Sequence, residues 1–461
     1  MAVAYDLVII SSTWLGRQIA LKAAGLKARV ALVEINPPDR HWLGMAAIYQ
    51  EIIQVSGAIT QAIAPEVSSR WLKTAVANLD ELDSLAVLAT LGIDVIQEKG
   101  EFCRLPHLAF SVKNRYLRGR SYLVMTANQT IYPEIAGIEQ TYVYNSENLG
   151  EKIFFLAPQQ RWVVIGGNAT GVEFAQILNQ LGARVTLVVK GDRILPHEDV
   201  EIATLLQAQL EAQGIRVITQ APVELVKQID ETKWVQAGNQ AIETDEIFLA
   251  VKQYPQVANL NLEGVGVELD RRGIKVNRKL QTTNPKIYAC SSHQQSIAAK
   301  EGQIALQNAL FFPRSTINYH QIPTVVFSQP PLARIGLTEA QAKSIYGQKV
   351  FVLREYFKHL SIAQISGNLT GMCQIILRPN GEIIGAQILG AGAIELIEAI
   401  ALSMQHKVKI QELSNFTSIY PSYTELFSRL GQIWQEKNLS RKKWLAEGLD
   451  LFFDWRRGWS K

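Results

Sequence analysis

The stretch of sequence that decides the fold is Arg161–Lys190, which reads RWVVIGGNATGVEFAQILNQLGARVTLVVK. An apolar run, WVVI, leads into a glycine turn, and a helical stretch and a second apolar run, RVTLVV, follow it. Apolar runs bounded by small residues are typical of buried strands, so this order predicts a strand–turn–helix–strand unit. The two strands of such a unit are parallel and its crossover is right-handed.

The beginning of the chain repeats this order in Tyr5–Glu34. Its apolar runs are LVII and RVALVE, and between them lie a small-residue turn, SSTWLG, and a helical stretch, RQIALKAAGLKA. Two such units predict two dinucleotide-type α/β domains, an internal duplication of fold.

A different pattern begins at Ile322. Three strand-like runs, KVFVLREYF, GMCQIILRP and EIIGAQILG, precede a helical stretch, AIELIEAIALSMQHKV. Asn380-Gly381 between the last two runs is a hairpin signal. Strands followed by a helix predict a third domain of the α+β class.

Composition excludes several classes of protein. The chain has 461 residues, 48% of them hydrophobic, which favours a globular protein of about three domains. Its 46 basic and 42 acidic residues exclude nucleic-acid binding by bulk charge. The three cysteines are far apart and form neither a disulfide framework nor a zinc pattern, and the scattered histidines have no ligand spacing, so no metal is predicted.

The same sequence bears on location. The N-terminal apolar run lacks the basic flank and cleavage site of a signal peptide, and no run is long enough for a transmembrane helix. Together with the few cysteines, this favours a reducing, cytoplasmic compartment.

The candidate pyrophosphate loop is GGNATG, formed by Gly166, Gly167, Asn168, Ala169, Thr170 and Gly171. Gly166 and Gly171 fill the first and third glycine positions of the G-x-G-x-x-G pattern. Asn168 takes the second, where its side chain narrows the approach to the pyrophosphate, and its tolerance of left-handed dihedral angles lets the turn survive. The alternative is an ordinary βα turn without a ligand.

Two cations follow the second strand of this unit. Lys190 stands where an acid would bond a ribose hydroxyl, and Arg193 follows it closely. Cations here suit a 2′-phosphate, so the pattern favours NADP(H) over NAD(H), although a lysine at a strand end is also common on any protein surface.

The first loop departs further from the pattern. Ser11 and Thr13 take the first two glycine positions and only Gly16 remains, while Glu34 ends the second strand, where an acid can hold a ribose. A β-branched Thr13 would crowd a pyrophosphate, so a purely structural turn is the alternative here.

The order of these segments resembles the pyridine nucleotide-disulfide oxidoreductase family, near its dihydrolipoyl dehydrogenase and mercuric reductase members, over about residues 1–430. Further matching segments are VGVELDRRGIKVNRKLQTTNPKIYA, IPTVVFSQPPLARIGLTEAQA and GEIIGAQILGAGAIELIEAIALSM. The resemblance implies an FAD domain at 1–150 and 274–318, an NAD(P) domain at 151–273, and a dimerisation domain at 319–430 that forms a homodimer.

The groups that carry the family's chemistry are altered. The region of its CxxxxC dithiol reads HWLGMAAIYQEI and has no cysteine, so no thiolate can attack a disulfide. The family's C-terminal H-P-x-x-x-E reads Y-P-S-Y-T-E, with Tyr420 in place of the histidine and with Pro421 and Glu425 kept. A phenol of pKa about 10 is a poor proton shuttle at neutral pH, and no catalytic residue is assigned.

The family's flavin contacts are altered as well. Its A-T-G reads Met125-Thr126-Ala127, its G-D reads Ser291-Ser292, and its G-R-x-P-N reads KQYPQ at 252–256. These changes predict weakened or lost FAD binding, because backbone approach and a charged acceptor are both missing.

Residues 431–461 form an added tail with Trp434, Trp444, Trp455 and Trp459, and it carries +3 of the chain's net charge of +4. Leu445, Leu449, Phe452 and Phe453 fall near one helical face. An aromatic face between basic flanks predicts binding to an anionic membrane surface, peripherally on the inner face. The alternative is an ordinary helix docked on the dimer.

Three functions stay open at this level. The first is a homodimer that binds nucleotide but has no disulfide reductase activity. The second is an active NAD(P)H-dependent flavoprotein that passes electrons to a non-thiol acceptor, such as a quinone or metal ion. The third is a membrane-surface protein whose nucleotide folds are only structural.

Overall fold

A computed structural model describes residues 4–35, 70, 73–75, 77–78, 81–104, 106–113, 115–157, 159–251, 253–271, 273–290, 292, 294–415, 417–441 and 443–459. The chain divides into two compact units, one of Met1–Pro196 with Gln207–Tyr319 and one of His197–Leu206 with His320–Lys461. The region at 41–52 that would hold the family dithiol, and Lys252 and Ser291, lie outside the described residues.

Both units contain helices and strands. The α-helices are α1 (Trp14–Gly25), α2 (Leu85–Thr90), α3 (Ala169–Gln180), α4 (Val200–Ala212), α5 (Gln295–Leu310), α6 (Glu339–Tyr346), α7 (Ser361–Ser366), α8 (Ala393–Gln405), α9 (Ile410–Ser414), α10 (Glu425–Arg441) and α11 (Lys443–Gly458). Short 3₁₀ helices occupy Gly150–Phe155, Glu263–Val265, Tyr319–Gln321 and Phe357–His359.

The strands of the first unit are β1 (Tyr5–Ser11), β2 (Val30–Glu34), β3 (Asp94–Ile96), β4 (Gly100–Cys103), β5 (Ala109–Val112), β6 (Arg115–Leu117), β7 (Gly119–Met125), β8 (Asn128–Thr130), β9 (Arg161–Ile165), β10 (Arg184–Val188), β11 (Arg216–Ile218), β12 (Val223–Ile229), β13 (Thr232–Ala237), β14 (Gln240–Thr244), β15 (Glu246–Leu249), β16 (Gln253–Pro255), β17 (Leu269–Asp270), β18 (Gly273–Ile274) and β19 (Ile287–Ala289). Those of the second unit are β20 (Thr324–Val326), β21 (Leu332–Gly336), β22 (Phe351–Tyr356), β23 (Met372–Leu377) and β24 (Ile383–Leu389).

The first parallel sheet has the strand order β19-β7-β1-β2-β3. Leu7, Val8, Ile9 and Ile10 of its central strand are fully buried, because both faces of the sheet are covered. One face packs on the antiparallel sheet β4-β5-β6 through Val8, Ile10 and a phenylalanine pair. Helices α1 and α5 lie together beside the same strands, so the repeated pattern of Tyr5–Glu34 forms the predicted unit.

The second parallel sheet has the order β11-β10-β9-β15. Helix α3 packs on β9 and β10, and the other face packs on the antiparallel sheet β12-β13-β14. Arg161–Lys190 therefore forms the strand–turn–helix–strand unit that its sequence predicts. A small two-stranded pairing joins β8 to β16, and another joins β17 to β18.

The second unit is built on an antiparallel sheet of order β20-β21-β24-β23-β22. The predicted hairpin at Asn380-Gly381 joins β23 to β24, and Gly381 has φ of +84°. Apolar residues of α8 and α10 cover one face of the sheet, as in an α+β layer. The fold class expected from the sequence, two α/β dinucleotide-type folds with an α+β domain, is confirmed.

The sequence predicts a separate C-terminal tail from residue 431, whereas the separate helix of the structure begins at Lys443. Gly431–Arg441 continue α10, and Trp434 is 1% exposed within the core of the second unit. Trp434 is apolar enough to be drawn into that core, against Phe351. The separate helix is α11, and the side chains of Trp444 and Leu445 lie outside the described residues.

Among the helices of the described ranges, none combines the length and the apolar character needed to cross a bilayer.

Candidate functional site

The glycines of the 166–171 loop are required by close backbone approaches. Gly166 has φ of +124°, and a Cβ there would lie 2.2 Å from the carbonyl oxygen of Ala250. A Cβ on Gly171 would lie 1.8 Å from the carbonyl oxygen of Gly166, so the helix starts directly against the strand end. The loop keeps the tight turn and the helix–strand packing for which the first and third glycines are used.

Asn168 preserves this turn in a way that the sequence did not predict. Its φ is −80° and its ψ is −179°, so the position is extended and the expectation of a left-handed residue is wrong. The side chain instead bonds to the backbone of the loop: Oδ1 accepts a hydrogen bond from the N–H of Gly171 at 2.9 Å, and Nδ2 donates to the carbonyl oxygen of Ala250 at 3.0 Å. Asn168 is thus the N-cap of α3.

The N-terminus of α3 remains suited to an anion. Ala169 and Thr170 form its first turn and are half-buried. The unpaired N–H groups and the dipole of a helix N-terminus both favour negative charge. Gly167 lies against Val189, and its carbonyl oxygen accepts from the N–H of Leu195 at 2.7 Å, which brings the segment after β10 beside the loop.

The two cations of that segment differ in their surroundings. Lys190 is exposed, and the part of the chain that the structure describes gives it no ion pair. Arg193 is held by Asp192 through an ion pair of 3.2 Å and donates to the carbonyl oxygen of Pro196 at 3.2 Å. Lys190 is therefore the more available of the two for a 2′-phosphate.

The first loop is closed by its own hydroxyl groups. Ser11 Oγ accepts a hydrogen bond from the N–H of Thr13 at 3.0 Å and donates to the carbonyl oxygen of Met125 at 2.9 Å. Ser12 Oγ accepts from the N–H of Ala127 at 2.7 Å. Gly16 is required here because a Cβ would lie 2.3 Å from Ser11 Oγ. Protein groups therefore take up hydrogen-bonding capacity that a glycine loop leaves for a pyrophosphate.

Glu34 is held inside the protein by Arg17. Arg17 Nε donates to Glu34 Oε1 at 2.6 Å and Nη2 donates to Oε2 at 3.1 Å, a bidentate pair. Gln97 Nε2 also donates to Oε2, at 3.0 Å. The backbone carbonyl of Asp83 accepts from Arg17 Nη1 at 3.3 Å. A ribose would therefore have to compete with Arg17 and Gln97 for this buried carboxylate.

The residues at the other flavin-contact positions are also engaged. Met125 and Thr126 are buried at the end of β7. Ser292 Oγ accepts from the N–H of Gln294 at 3.2 Å, just before α5, and the N–H of Ser292 donates to Glu301 Oε2 at 3.2 Å. A hydroxyl group therefore stands where the family has a ribityl-binding acid, and it caps the chain locally.

All three cysteines are free thiols, of which Cys103 is half-buried and Cys290 and Cys373 are buried. Burial raises the pKa of Cys290 well above its ordinary value and likewise raises the pKa of Cys373, and both side chains are buried. Burial also raises the pKa of Cys103, whose Sγ donates weakly to the carbonyl oxygen of Ala109. A raised pKa lowers the thiolate fraction on which thiol chemistry depends.

In the C-terminal Y-P-S-Y-T-E segment, the side chain of Tyr420 is exposed and that of Glu425 is hydrogen-bonded. Tyr420 is exposed, and the peptide bond from Tyr420 to Pro421 is cis. Glu425 accepts hydrogen bonds from the N–H of Ser361 at 3.0 Å and from Arg429 Nε at 2.8 Å. Burial raises the pKa of Glu425, but these bonds outweigh it and the net pKa lies below the ordinary value. This is the environment of a structural carboxylate.

The structure groups the sequence-predicted residues into two sets. Gly166–Gly171, Lys190 and Arg193 surround the carboxyl end of β9, whereas Gly16 and Glu34 lie at the carboxyl ends of β1 and β2. The sequence did not identify Arg17, Asp83 and Gln97 beside Glu34. An arginine directly after Gly16 was a visible signal for the first of these, but nothing local pointed to the other two.

Across the ranges that the structure describes, histidine, cysteine and carboxylate side chains do not come together in a group that could hold a metal ion.

The fold and these two sites define a class: a protein with two dinucleotide-type parallel sheets and a separate antiparallel α+β unit. The sequence matches the pyridine nucleotide-disulphide oxidoreductase model over residues 5–304 and the dimerisation domain of the same family over residues 322–430. The chain belongs to the pyridine nucleotide-disulphide oxidoreductase family.

Individual relatives agree with this assignment. The chain is 28% identical to a mercuric reductase of Staphylococcus aureus over 464 residues, which cover 95% of this chain and 83% of that protein. It is 33% identical to a dihydrolipoyl dehydrogenase of Bacillus subtilis over 271 residues, which cover 57% of this chain and 59% of that protein. The structure of the HOCl-induced flavoprotein disulfide reductase RclA from Escherichia coli superposes with a TM-score of 0.80 at 24% identity, over 93% of this chain and 99% of that one, which shows a shared fold.

The family sets the general expectation for cofactors and assembly. Its members depend on FAD and NAD(P), and the relatives that match this chain are named as reductases and dehydrogenases. The match to the dimerisation domain supports a homodimer.

Proposed function

We propose that this protein is a homodimeric, pyridine-nucleotide-binding member of the family that does not carry out thiol–disulfide exchange. The proposed domains are an FAD-type domain at 1–150 and 274–318, an NAD(P)-type domain at 151–273 and a dimerisation domain at 319–430. The tail that follows is proposed to act separately, through α11.

The observation that carries this proposal is the state of the thiols. Exchange with a disulfide needs a thiolate and a partner thiol to resolve the mixed disulfide. The chain has three cysteines in all, none of them lies between residues 36 and 102, and burial raises the pKa of each. The relatives' reductase names therefore do not transfer to this chain as a dithiol activity.

Nucleotide binding is proposed at Gly166–Gly171. The turn is preserved, α3 begins at this loop, and the amide of the exposed Asn168 is bonded to the backbone of Gly171 and Ala250. Lys190 supplies an exposed cation for a 2′-phosphate, so NADP(H) is the proposed nucleotide in preference to NAD(H).

The residues at the FAD-type site, beside β1 and β2, do not fit FAD. Ser11 and Ser12 occupy the loop, Arg17 covers Glu34, and Ser292 replaces an acid. We therefore propose that tight FAD binding is lost, which separates this protein from an active flavoprotein that passes electrons to a quinone or metal ion.

The test uses purified full-length protein. We expect a colourless preparation that binds NADPH in a calorimetric titration but turns over neither dihydrolipoamide nor glutathione disulfide. A thiol reagent should label at most Cys103 in the native protein and all three cysteines after denaturation. Enzyme-like turnover of either substrate would contradict the proposal. A stoichiometric yellow flavin that NADPH bleaches would favour the active flavoprotein instead.

A second proposed function is peripheral membrane binding by α11. Leu449, Phe452, Phe453 and Trp459 lie along one face of this helix, with Arg456 among them, and Trp459 is 77% exposed. Glu447, Asp450, Asp454 and Arg457 lie on the opposite face. Aromatic rings on one face of such a helix suit the headgroup level of a bilayer.

The test of this second function is flotation with vesicles of phosphatidylcholine and anionic phosphatidylglycerol. We expect the full-length protein to float, and neither a chain truncated after Arg441 nor the Phe452→Ser/Trp459→Ser variant to do so. Equal flotation of all three, or none, removes the membrane role.

A further inference from the structure

Three buried charged side chains, Arg17, Glu34 and Asp83, lie together with the amide of Gln97 in a group here named the Arg17 cluster. The side chain of Arg17 is 10% exposed, that of Glu34 is 2% exposed, and that of Asp83 is fully buried. Nη1 of Arg17 lies 4.0 Å from Asp83 Oδ1, so the guanidinium stands between two carboxylates. Gln18 Nε2 donates to the Asp83 carboxylate at 3.0 Å, which leaves this second acid hydrogen-bonded as well.

The cluster occupies the ligand edge of its sheet. Glu34 is the last residue of β2 and is in register with Ser11, the last residue of β1, so both lie at the carboxyl ends of parallel strands. Dinucleotide folds bind their ligands at this edge, with the acid at the end of the second strand on the ribose. Arg17 follows Gly16 in the first turn of α1 and reaches this acid from the helix.

Both oxygens of Glu34 are in use. Oε1 accepts from Arg17 Nε, and Oε2 accepts from Arg17 Nη2 and Gln97 Nε2. Two ribose hydroxyls would compete with Arg17 for these oxygens, and the guanidinium lies directly against both of them. Separating a buried, bidentate pair leaves uncompensated charge, so a ligand that displaces Arg17 is strongly disfavoured.

We propose that Arg17 is an internal occupant of the adenosine end of the first dinucleotide fold, in which its guanidinium takes the place of the ligand's ribose on Glu34. This inference rests on the proposed loss of tight FAD binding and names the side chain that blocks the ribose. The first fold is then a self-liganded structural domain, and nucleotide binding is confined to the Gly166–Gly171 site.

The experiment isolates Arg17 from the loop defects by working in a background with both glycines restored, Ser11→Gly/Thr13→Gly. FAD and FMN binding are measured by flavin fluorescence in this background, alone and together with Arg17→Leu/Asp83→Asn, which removes one charge of each sign. The matched control is Arg115→Leu in the same background, because Arg115 pairs with Asp94 at the opposite edge of the same sheet.

We expect Arg17→Leu/Asp83→Asn to tighten FAD binding by roughly 100-fold over the glycine-restored background, in line with the cost of opening a buried pair. FMN lacks the adenosine, so its binding should stay within about threefold, and Arg115→Leu should change neither. A folded Arg17→Leu/Asp83→Asn protein with no gain for FAD overturns the inference, as does an equal gain for FMN.

A further variant covers the case in which that protein does not fold, as judged by circular dichroism. Arg17→Lys in the glycine-restored background keeps the charge, but its single ammonium cannot hold both oxygens of Glu34. It should tighten FAD binding by roughly tenfold, and no gain overturns the inference. Wild-type protein purified with stoichiometric FAD would defeat both proposals. Colourless wild type with no gain in any Arg17 variant would defeat only this one.

Discussion

The carboxylate of Asp199 accepts a hydrogen bond of 2.7 Å from the side-chain amide of Gln374, deep within the second unit. Asp199 also accepts from the N–H of Glu339 at 3.0 Å, so it helps to cap the first turn of α6. Its own N–H donates to the amide oxygen of Gln387, which is in register with Gln374 on the neighbouring strand. Asp199 thus ties the start of α4 to the β23–β24 hairpin through buried amides.

This position predicts a specific dependence of stability on pH. Burial raises the pKa of Asp199, and so does the nearby Glu339 carboxylate, against the N–H of Glu339 and the charges of Arg354 and Arg334. Because the folded pKa is raised, the stability that Asp199 contributes is complete below its unfolded pKa of about 4 and is lost as pH rises through the folded pKa. As pH rises between the unfolded and the folded pKa of Asp199, wild type should therefore lose stability relative to Asp199→Asn.

The measurement is the difference in melting temperature between wild type and Asp199→Asn at pH steps from 4 to 8. Burial and the Asp199 charge both raise the pKa of Glu198, so Asp199→Asn also lowers the pKa of Glu198, and Glu198→Gln with and without Asp199→Asn isolates the contribution of Asp199. One proton limits the slope to about 1.4 kcal/mol per pH unit. A difference that is flat, or that moves in favour of wild type with rising pH, would show that the Asp199 carboxylate is not disfavoured in the fold.

Asn168 gives a prediction that separates capping from nucleotide binding. Asn168→Ala removes the cap on Gly171 and should lower the free energy of unfolding by about 1 kcal/mol. Asn168→Asp keeps an oxygen for that cap but adds a negative charge at the proposed pyrophosphate position, so NADPH affinity should fall by about tenfold or more. Urea unfolding and calorimetric titration measure the two effects. Equal NADPH affinity in wild type and Asn168→Asp would mean that the phosphates do not approach this loop.

Lys190 gives a prediction about the choice of nucleotide. Lys190→Glu should weaken NADPH binding by about tenfold and leave NADH binding within about threefold, because only NADPH carries a 2′-phosphate. Arg193→Gln is the matched comparison, and it should change the ratio less, since Arg193 is already held by Asp192 and Pro196. An unchanged ratio of the two affinities in Lys190→Glu would discard the assignment of Lys190.

The sequence predicted the fold well because the decisive patterns are local. LVII, WVVI and the Asn380-Gly381 turn each act within a few residues, and the structure forms the corresponding strands and hairpin. The candidate sites were harder to predict, because the hydrogen bonds and ion pairs of their residues involve partners far away in the sequence. The acid expected at the end of the second strand identified Glu34. Asp83 and Gln97 join the same cluster from 49 and 63 residues away along the chain, and no local spacing predicts them.

The C-terminal tail is a second region where the sequence could not predict which side chains are buried. Four tryptophans in 31 residues suggested one segment with one role, yet burial divides them. Trp434 packs in the core with its ring centroid 5.0 Å from that of Phe351, whereas Trp455 and Trp459 are exposed on α11. Composition cannot make this distinction, because an indole ring suits a protein core and a bilayer interface equally well.

This difference in burial predicts a small loss of stability on removing α11 and a large loss on substituting Trp434. Removing residues 443–461 should alter the free energy of unfolding by less than about 1 kcal/mol, because the side chains of α11 that the structure describes, at 447–459, do not belong to the core cluster of the second unit. Trp434→Ala should cost about 3–5 kcal/mol, since it empties a buried ring site between α10 and β22. Trp459→Ala, at an exposed ring, is the control and should stay within about 0.5 kcal/mol of wild type. Thermal and urea unfolding measure all three, and a large loss of stability on removing residues 443–461 would mean that α11 is part of the fold and would weaken its proposed membrane role.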